Sequence, residues 1–194
     1  MKEQGKINSK LHKNPLFWSL ILCLAAALAS AVRLFRTSNL FQSNLSGLYY
    51  LEGKQTAVLA FLIPALTVFC TVSLAAFKER RKKQLMALIL LVMSASFLFP
   101  WKENPCGLQS VLNDLHVWLE AAGVLLWSLM MTSSLFVSYW PAMISFCPSF
   151  LKKTAAGELL ILVISILLCG LAGHICGAAQ IFFLMASGTW LLFF

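Results

Sequence analysis

Charge is what this sequence has least of. Asp, Glu, Lys and Arg make up 11% of its 194 residues, and only seven of these are acidic, against about a quarter charged in a soluble domain. A chain that is also 60% hydrophobic has too little polar surface to cover a water-soluble globule, so lipid is its solvent. Histidine is scarce as well, at three residues, and no catalytic, metal or nucleotide motif stands out. There is no HExxH and no carboxylate-rich set, so neither a metal nor a cofactor is expected. The cysteines form no disulfide framework. Cys23, Cys70 and Cys169 lie inside apolar runs and Cys147 closes one, where a thiol acts as a small hydrophobe. Cys106 and Cys176 alone fall near expected loops and could pair in an oxidising compartment. Internal repeats and low-complexity segments are absent too.

What is there is a series of apolar runs separated by basic or polar stretches. After a basic tail over 1–14, the runs predict an all-α polytopic bundle with spans near 15–32, 56–77, 84–100, 115–140, 155–173 and 175–194. Each approaches the ~20 residues a membrane helix needs. Pro15 suits a first helical position, and Pro64 should loosen the second span by removing a backbone hydrogen bond. Asn113 and Asp114 are candidate N-caps for the fourth span, and Trp140-Pro141 should end it. Gly170, Gly173 and Gly177 mark a turn between the last two, the alternative being five spans with one re-entrant segment. Ala29-Ser30-Ala31 also fits a signal-peptide cleavage site, which would remove the first helix.

The fifteen Lys and Arg give the orientation. Eleven lie in the tail, in Lys78–Lys83 and at Lys152-Lys153, all on one side of a six-span bundle. Arg33, Arg36, Lys54 and Lys102 are the four on the other. The positive-inside rule puts both termini in the cytoplasm of a plasma membrane. The net charge of +8 thus reflects topology and not nucleic acid. Lys78, Arg80, Arg81, Lys82 and Lys83 should meet anionic lipid head groups; protein partners stay open. Trp101 and Trp118 fall near the outer interface, Trp18, Trp140 and Trp190 near the inner one, and Trp127 mid-span.

The sharpest chemical candidate is an outer polar cluster. His116 and Glu120, four apart, share a helix face, and an acid about 6 Å deeper than its neighbour is costly unless it faces a cavity or a partner. Arg33 and Arg36 are candidate partner charges, and His174 lies on the same side. The stretch Ser46-Gly47-Leu48-Tyr49-Tyr50 could fold over the outer face as a cap, with Gly47 making a tight turn. Asn44-Leu45-Ser46 is a glycosylation sequon. Ala25/Ala29, Ala27/Ala31 and Gly173/Gly177 have the small-residue spacing that lets helices pack closely.

The stretch from Arg33 to Tyr50 resembles one found in a family of small multi-pass membrane proteins of anaerobic Gram-positive bacteria. They share an Arg-Leu-aromatic exit from the first helix and a Ser/Thr-Gly-Leu/Phe-Tyr turn before the second. Members of the family often carry an acid before that turn, where this chain has Ser43-Asn44-Leu45. The resemblance implies a bacterial plasma membrane and says nothing about mechanism. Length and the Ala-rich first helix are also similar to the substrate-binding subunits of vitamin uptake transporters. Three functional classes follow: a non-enzymatic membrane protein, a solute-binding or transport component with an outward pocket, and a lipid-acting enzyme using His116 and Glu120.

Overall fold

The computed structural model describes residues 15–51, 53–96, 99, 106–145 and 149–193, and of 134–145 and 149–155 the backbone alone. The basic tail 1–14, Glu52, Pro100, Trp101, Lys102, Glu103 and Pro105 lie outside the described residues, as do the side chains of Trp140, Cys147, Lys152 and Lys153. Among the described residues there are seven α-helices and no strand: α1 (Pro15–Thr37), α2 (Leu45–Tyr50), α3 (Gln55–Ala75), α4 (Arg80–Ser96), α5 (Leu108–Ser145), α6 (Ser149–Ala172) and α7 (Gly177–Phe193). By length and composition, α1, α3 and residues Leu108–Ser133 of α5 can each cross a membrane. Helices α6 and α7 contribute shorter apolar stretches, Ala156–Ala172 and Gly177–Phe193.

Several boundaries differ from the sequence expectation, each for a local reason. α1 runs one turn past Val32, carrying Arg33 and Arg36 on its exposed side. It passes through Ala29-Ser30-Ala31 unbroken and buries Ala27, Ala31 and Leu34. The Ala27/Ala31 spacing therefore packs within the bundle, while Ala25 and Ala29 stay exposed. α5 begins at Leu108, not at an Asn113 or Asp114 cap. The Asn113 side chain lies a turn and a half inside the helix and accepts from Gln109 Nε2 at 3.1 Å. Nor does α5 stop at Trp140-Pro141; it continues to Ser145, as membrane helices can when neighbours satisfy the freed carbonyl. Pro64 likewise sits inside an unbroken α3.

The six longer helices alternate in direction. α1 packs on α3, α4 on α5, α6 on α7, and α7 closes the set against α3 and α1. Phe17 near the start of α1 meets Phe193 at the end of α7, with centroids 6.2 Å apart, whereas Gly177 at the start of α7 meets the chain after α1. One end of the bundle thus gathers residues 38–51, Gly53, Lys54, Ser96, Leu108 and the α6–α7 turn, and is called the capped end below. The opposite, basic end carries Lys78–Lys83. Gly173 makes the α6–α7 turn at φ +75°, a left-handed conformation that a side chain would strain.

In lipid the hydrophobic effect does not press helices together, so close packing and interhelical hydrogen bonds must hold them. The centre shows both. Trp127 of α5 is fully buried against Phe69 of α3 and Phe183 of α7, at centroid distances of 4.8 and 5.3 Å. Its indole Nε1–H donates to Ser73 Oγ at 2.9 Å, which explains how a tryptophan tolerates mid-span depth. Such aromatic pairs contribute about 0.5–1.5 kcal/mol each beyond their area.

Candidate functional site

The site begins with a helix cap. Asn44, in extended conformation, accepts the Gly47 N–H on its Oδ1 at 2.6 Å and so starts α2. Gly47 therefore lies inside a short buried helix and makes no tight turn. The cap is pinned from below by α7. Gly177 N–H donates to Ser43 O at 2.8 Å and Ala178 N–H to Leu40 O at 3.1 Å. A Cβ on Gly177 would stand 3.0 Å from Ser43 O and from the Leu40 side chain, so a larger residue there would press on the cap. The Lys54 ammonium donates to Thr37 O and ties the α3 start to the α1 end.

Beneath the cap lies a closed ring of buried polar groups. Leu45 N–H donates to Gln180 Oε1 at 2.6 Å, and Gln180 Nε2 donates to Glu120 Oε1. Glu120 Oε2 lies 3.5 Å from His116 Nε2. His116 Nε2 also meets Ser46 Oγ at 2.9 Å, and Ser46 follows Leu45 in the chain. Four elements contribute, α2, α5, α7 and, through Ser96 O on His116 Nδ1 at 2.5 Å, α4. His116 is 0%, Gln180 7% and Glu120 8% exposed. Proton positions follow from the acceptors. Ser96 O can only accept, so His116 Nδ1 carries a proton. If the Ser46 hydroxyl donates to Asn44 Oδ1, 3.1 Å away, Nε2–H must donate to Ser46 and the ring faces Glu120 as a cation. If the hydroxyl instead donates to Nε2, the imidazole is neutral. One hydroxyl rotation couples the cap to the charge of the pair.

A cavity of about 280 Å3 opens beside this ring between α5, α6 and α7. Val124, Leu162, Phe183 and Leu184 form apolar walls, and Glu120, Gln180 and Ser165 are its polar residues. Ser165 Oγ–H is already donated to Ile161 O at 2.8 Å. Glu120 Oε2 is buried and accepts no hydrogen bond.

The structure brings His116 and Glu120 together but not the other expected residues. Arg33 and Arg36 point away from the ring at the exposed side of α1. His174 is exposed, its ring N–H donating within its own turn to Ala172 O at 2.9 Å. Cys106 and Cys176 are unpaired thiols, one exposed and one buried, the second directed at Leu168 O at 3.8 Å. Burial of Cys176 beneath the cap removes it from any bridge to the exposed loop. Asn44, Ser46, Ser96 and Gln180 were not singled out as site residues by sequence reasoning, and Glu158 was missed. Glu158 on α6 is 1% exposed and accepts from Ser187 Oγ at 3.0 Å. Its sequence signal was available: it is the single acid between Lys153 and Phe194, and a lone acid at membrane depth is costly. No group of three metal-ligating side chains occurs among the described residues.

At the basic end, Arg80, Arg81, Lys82 and Lys83 make the first turn of α4, where the helix dipole favours anions instead. Glu79 pairs with Lys82 at 2.9 Å, an exposed contact of little energetic weight. These cations do not serve the helix they begin.

No family model, curated protein or solved structure matches this chain.

Proposed function

We propose that the chain is a six-span protein of a bacterial plasma membrane, with both termini cytoplasmic, that works as a binding component for a small solute and performs no chemistry on it. The single observation carrying the binding role is the cavity of about 280 Å3 beside the ring, apolar-walled, with Glu120, Gln180 and Ser165 as its polar residues. An acid at such depth is costly unless it meets a partner or a cavity, and Glu120 meets both, Gln180 as partner and the cavity beside it.

Six spans are supported by the alternating directions of α1 and α3–α7. The short α7, 17 residues or ~26 Å long, is accommodated by modest local thinning of the bilayer. Cytoplasmic placement of Lys78–Lys83 is supported by cations that destabilise their own helix start yet suit anionic head groups. The likeness of Arg33–Tyr50 to proteins of Gram-positive bacteria agrees with this membrane. Lipid chemistry by His116 and Glu120 has less support. His116 does not line the cavity, and both its ring nitrogens are occupied by Ser96 and Ser46.

Two measurements test the proposal. Single-cysteine variants at Lys83 and at Gln42, labelled in intact cells with a membrane-impermeant maleimide, should react at Gln42 only; labelling at Lys83 overturns the sidedness. A thermal-shift screen of small metabolites on the detergent-solubilised protein should yield a stabilising ligand whose effect is lost when Val124→Trp fills the cavity. A screen in which nothing stabilises the protein overturns the binding role.

A further inference from the structure

The polar groups bordering the cavity are already engaged with the protein. Glu120 accepts from Gln180 on Oε1, and its Oε2 is enclosed beside the His116 ring at 3.5 Å. Gln180 has given its carbonyl oxygen to Leu45 N–H and one amide hydrogen to Glu120. Ser165 donates its hydroxyl to Ile161 O. The donor left over among these three is the second amide hydrogen of Gln180, since a carboxamide carries two. An ion entering this space sheds its hydration and finds no full set of partners to replace it, so charge of either sign is disfavoured. A neutral molecule, with at most one oxygen for that amide, meets no such cost.

The walls set size and route. Val124 and Leu125 of α5, Leu162 and Ile166 of α6, and Phe183 and Leu184 of α7 help enclose about 280 Å3. An engineered cavity of about 150 Å3 stays dry and holds a benzene ring, so this one takes on the order of ten carbon atoms. Toward the capped end the way is blocked by the ring and by residues Leu45–Leu48, all buried. Between α5 and α6 it is open. Leu125 and Ile166 are each about half exposed, and beside them lies an exposed surface of Leu126, Leu129, Val163 and Leu167. In a bilayer that surface faces acyl chains. Transfer from hydrocarbon into the cavity gains nothing from the hydrophobic effect, yet it restores the contacts that empty walls lack.

We propose that the cavity holds the uncharged hydrocarbon portion, about ten carbons in size, of a molecule that enters from the bilayer between α5 and α6. The inference rests on the binding role proposed above and narrows its ligand from any small solute to one dissolved in the bilayer and uncharged where it binds.

The test uses the full chain in phosphatidylcholine nanodiscs, with mid-chain diazirine forms of decane, decanol, decylamine and decanoate at equal membrane fractions. Photolysis followed by peptide mass spectrometry reads which residues each probe labels. Decane and decanol should label Leu162 and Phe183, and the two charged probes should label them about tenfold less or weaker still. All four should label the outward Leu129 and Leu167, which reports contact from bulk lipid. Val124→Trp should remove the cavity labels and leave the outward ones. With Ile166→Trp narrowing the opening, cavity labelling should appear more slowly after probe addition; an unchanged rate overturns the lateral route. Equal cavity labelling by charged and uncharged probes overturns the uncharged class and leaves the binding role standing. Cavity labelling untouched by Val124→Trp places the probes elsewhere and overturns the inference. Absence of cavity labelling by every probe overturns it too, and the metabolite screen above then decides the binding role separately. Phosphatidylcholine with a diazirine on its acyl chain separates the two sources: cavity labels from it assign the site to a lipid tail, their absence to a free molecule. If Val124→Trp fails to fold, Ala121→Leu, which fills part of the same space, takes its place.

Discussion

Glu120 and Glu158 are both buried acids in an apolar bundle, yet their surroundings have little in common. Glu120, at the capped end, is held by Gln180, stands beside His116 and lines a cavity. Through those two partners it reaches the backbone of α2 and α4. Glu158, on α6 toward the basic end, receives one hydroxyl from Ser187 of the adjacent α7, and its Oε1 accepts nothing. The first carboxylate organises the cap above it; the second is held locally between two neighbouring helices through one of its oxygens. Burial alone therefore says little about an acid's role in such a bundle. The number of elements wired to it says more.

The difference can be broken at the ring first. Gln180→Leu strands both Glu120 Oε1 and Leu45 N–H without partners, and unmet buried groups cost about 1–3 kcal/mol each, more when charged. A loss on the order of 2–5 kcal/mol in detergent unfolding is expected, with the cap loosened first as read by hydrogen exchange at Leu45–Tyr50. Next, Gly177→Ala drives a methyl group against Ser43 O and Leu40 and should cost about 1–3 kcal/mol by overpacking, measured in the same unfolding experiment. Asn44→Ala removes the α2 cap and should cost about 1 kcal/mol, again concentrated in exchange of the Gly47 amide. Smallest is Glu158→Gln. The amide still accepts from Ser187 and carries no charge to desolvate, so stability should stay within about 1 kcal/mol of the unaltered protein or rise. A fall matching that of Gln180→Leu would show Glu158 to be as widely wired as Glu120, and the contrast would dissolve.

The helical, membrane-embedded character was legible because hydropathy acts on whole segments. The pairing of His116 with Glu120 was legible because four residues along a helix fix a shared face. The rest of the ring was not, since Ser46 lies 70 residues from His116 and Leu45 lies 135 from Gln180. No periodicity links such positions. Arg33 and Arg36 were natural partners for an acid on charge alone, but a neutral amide on α7 meets Glu120 without burying a second ion. The reach of α5 was hidden by an apparent stop, as Pro141 breaks helices in water more reliably than in a packed bundle. Gly47 suggested a turn by residue type, and the Asn44 side chain instead recruited it into a helix.

That last contact has a consequence for producing the protein. The carboxamide of Asn44 is enclosed with its oxygen accepting from Gly47 N–H, so a glycan and a closed cap are mutually exclusive. In a eukaryotic expression host that places the capped end in the lumen, sugar attached at this sequon would tag those molecules whose Asn44 segment never docked.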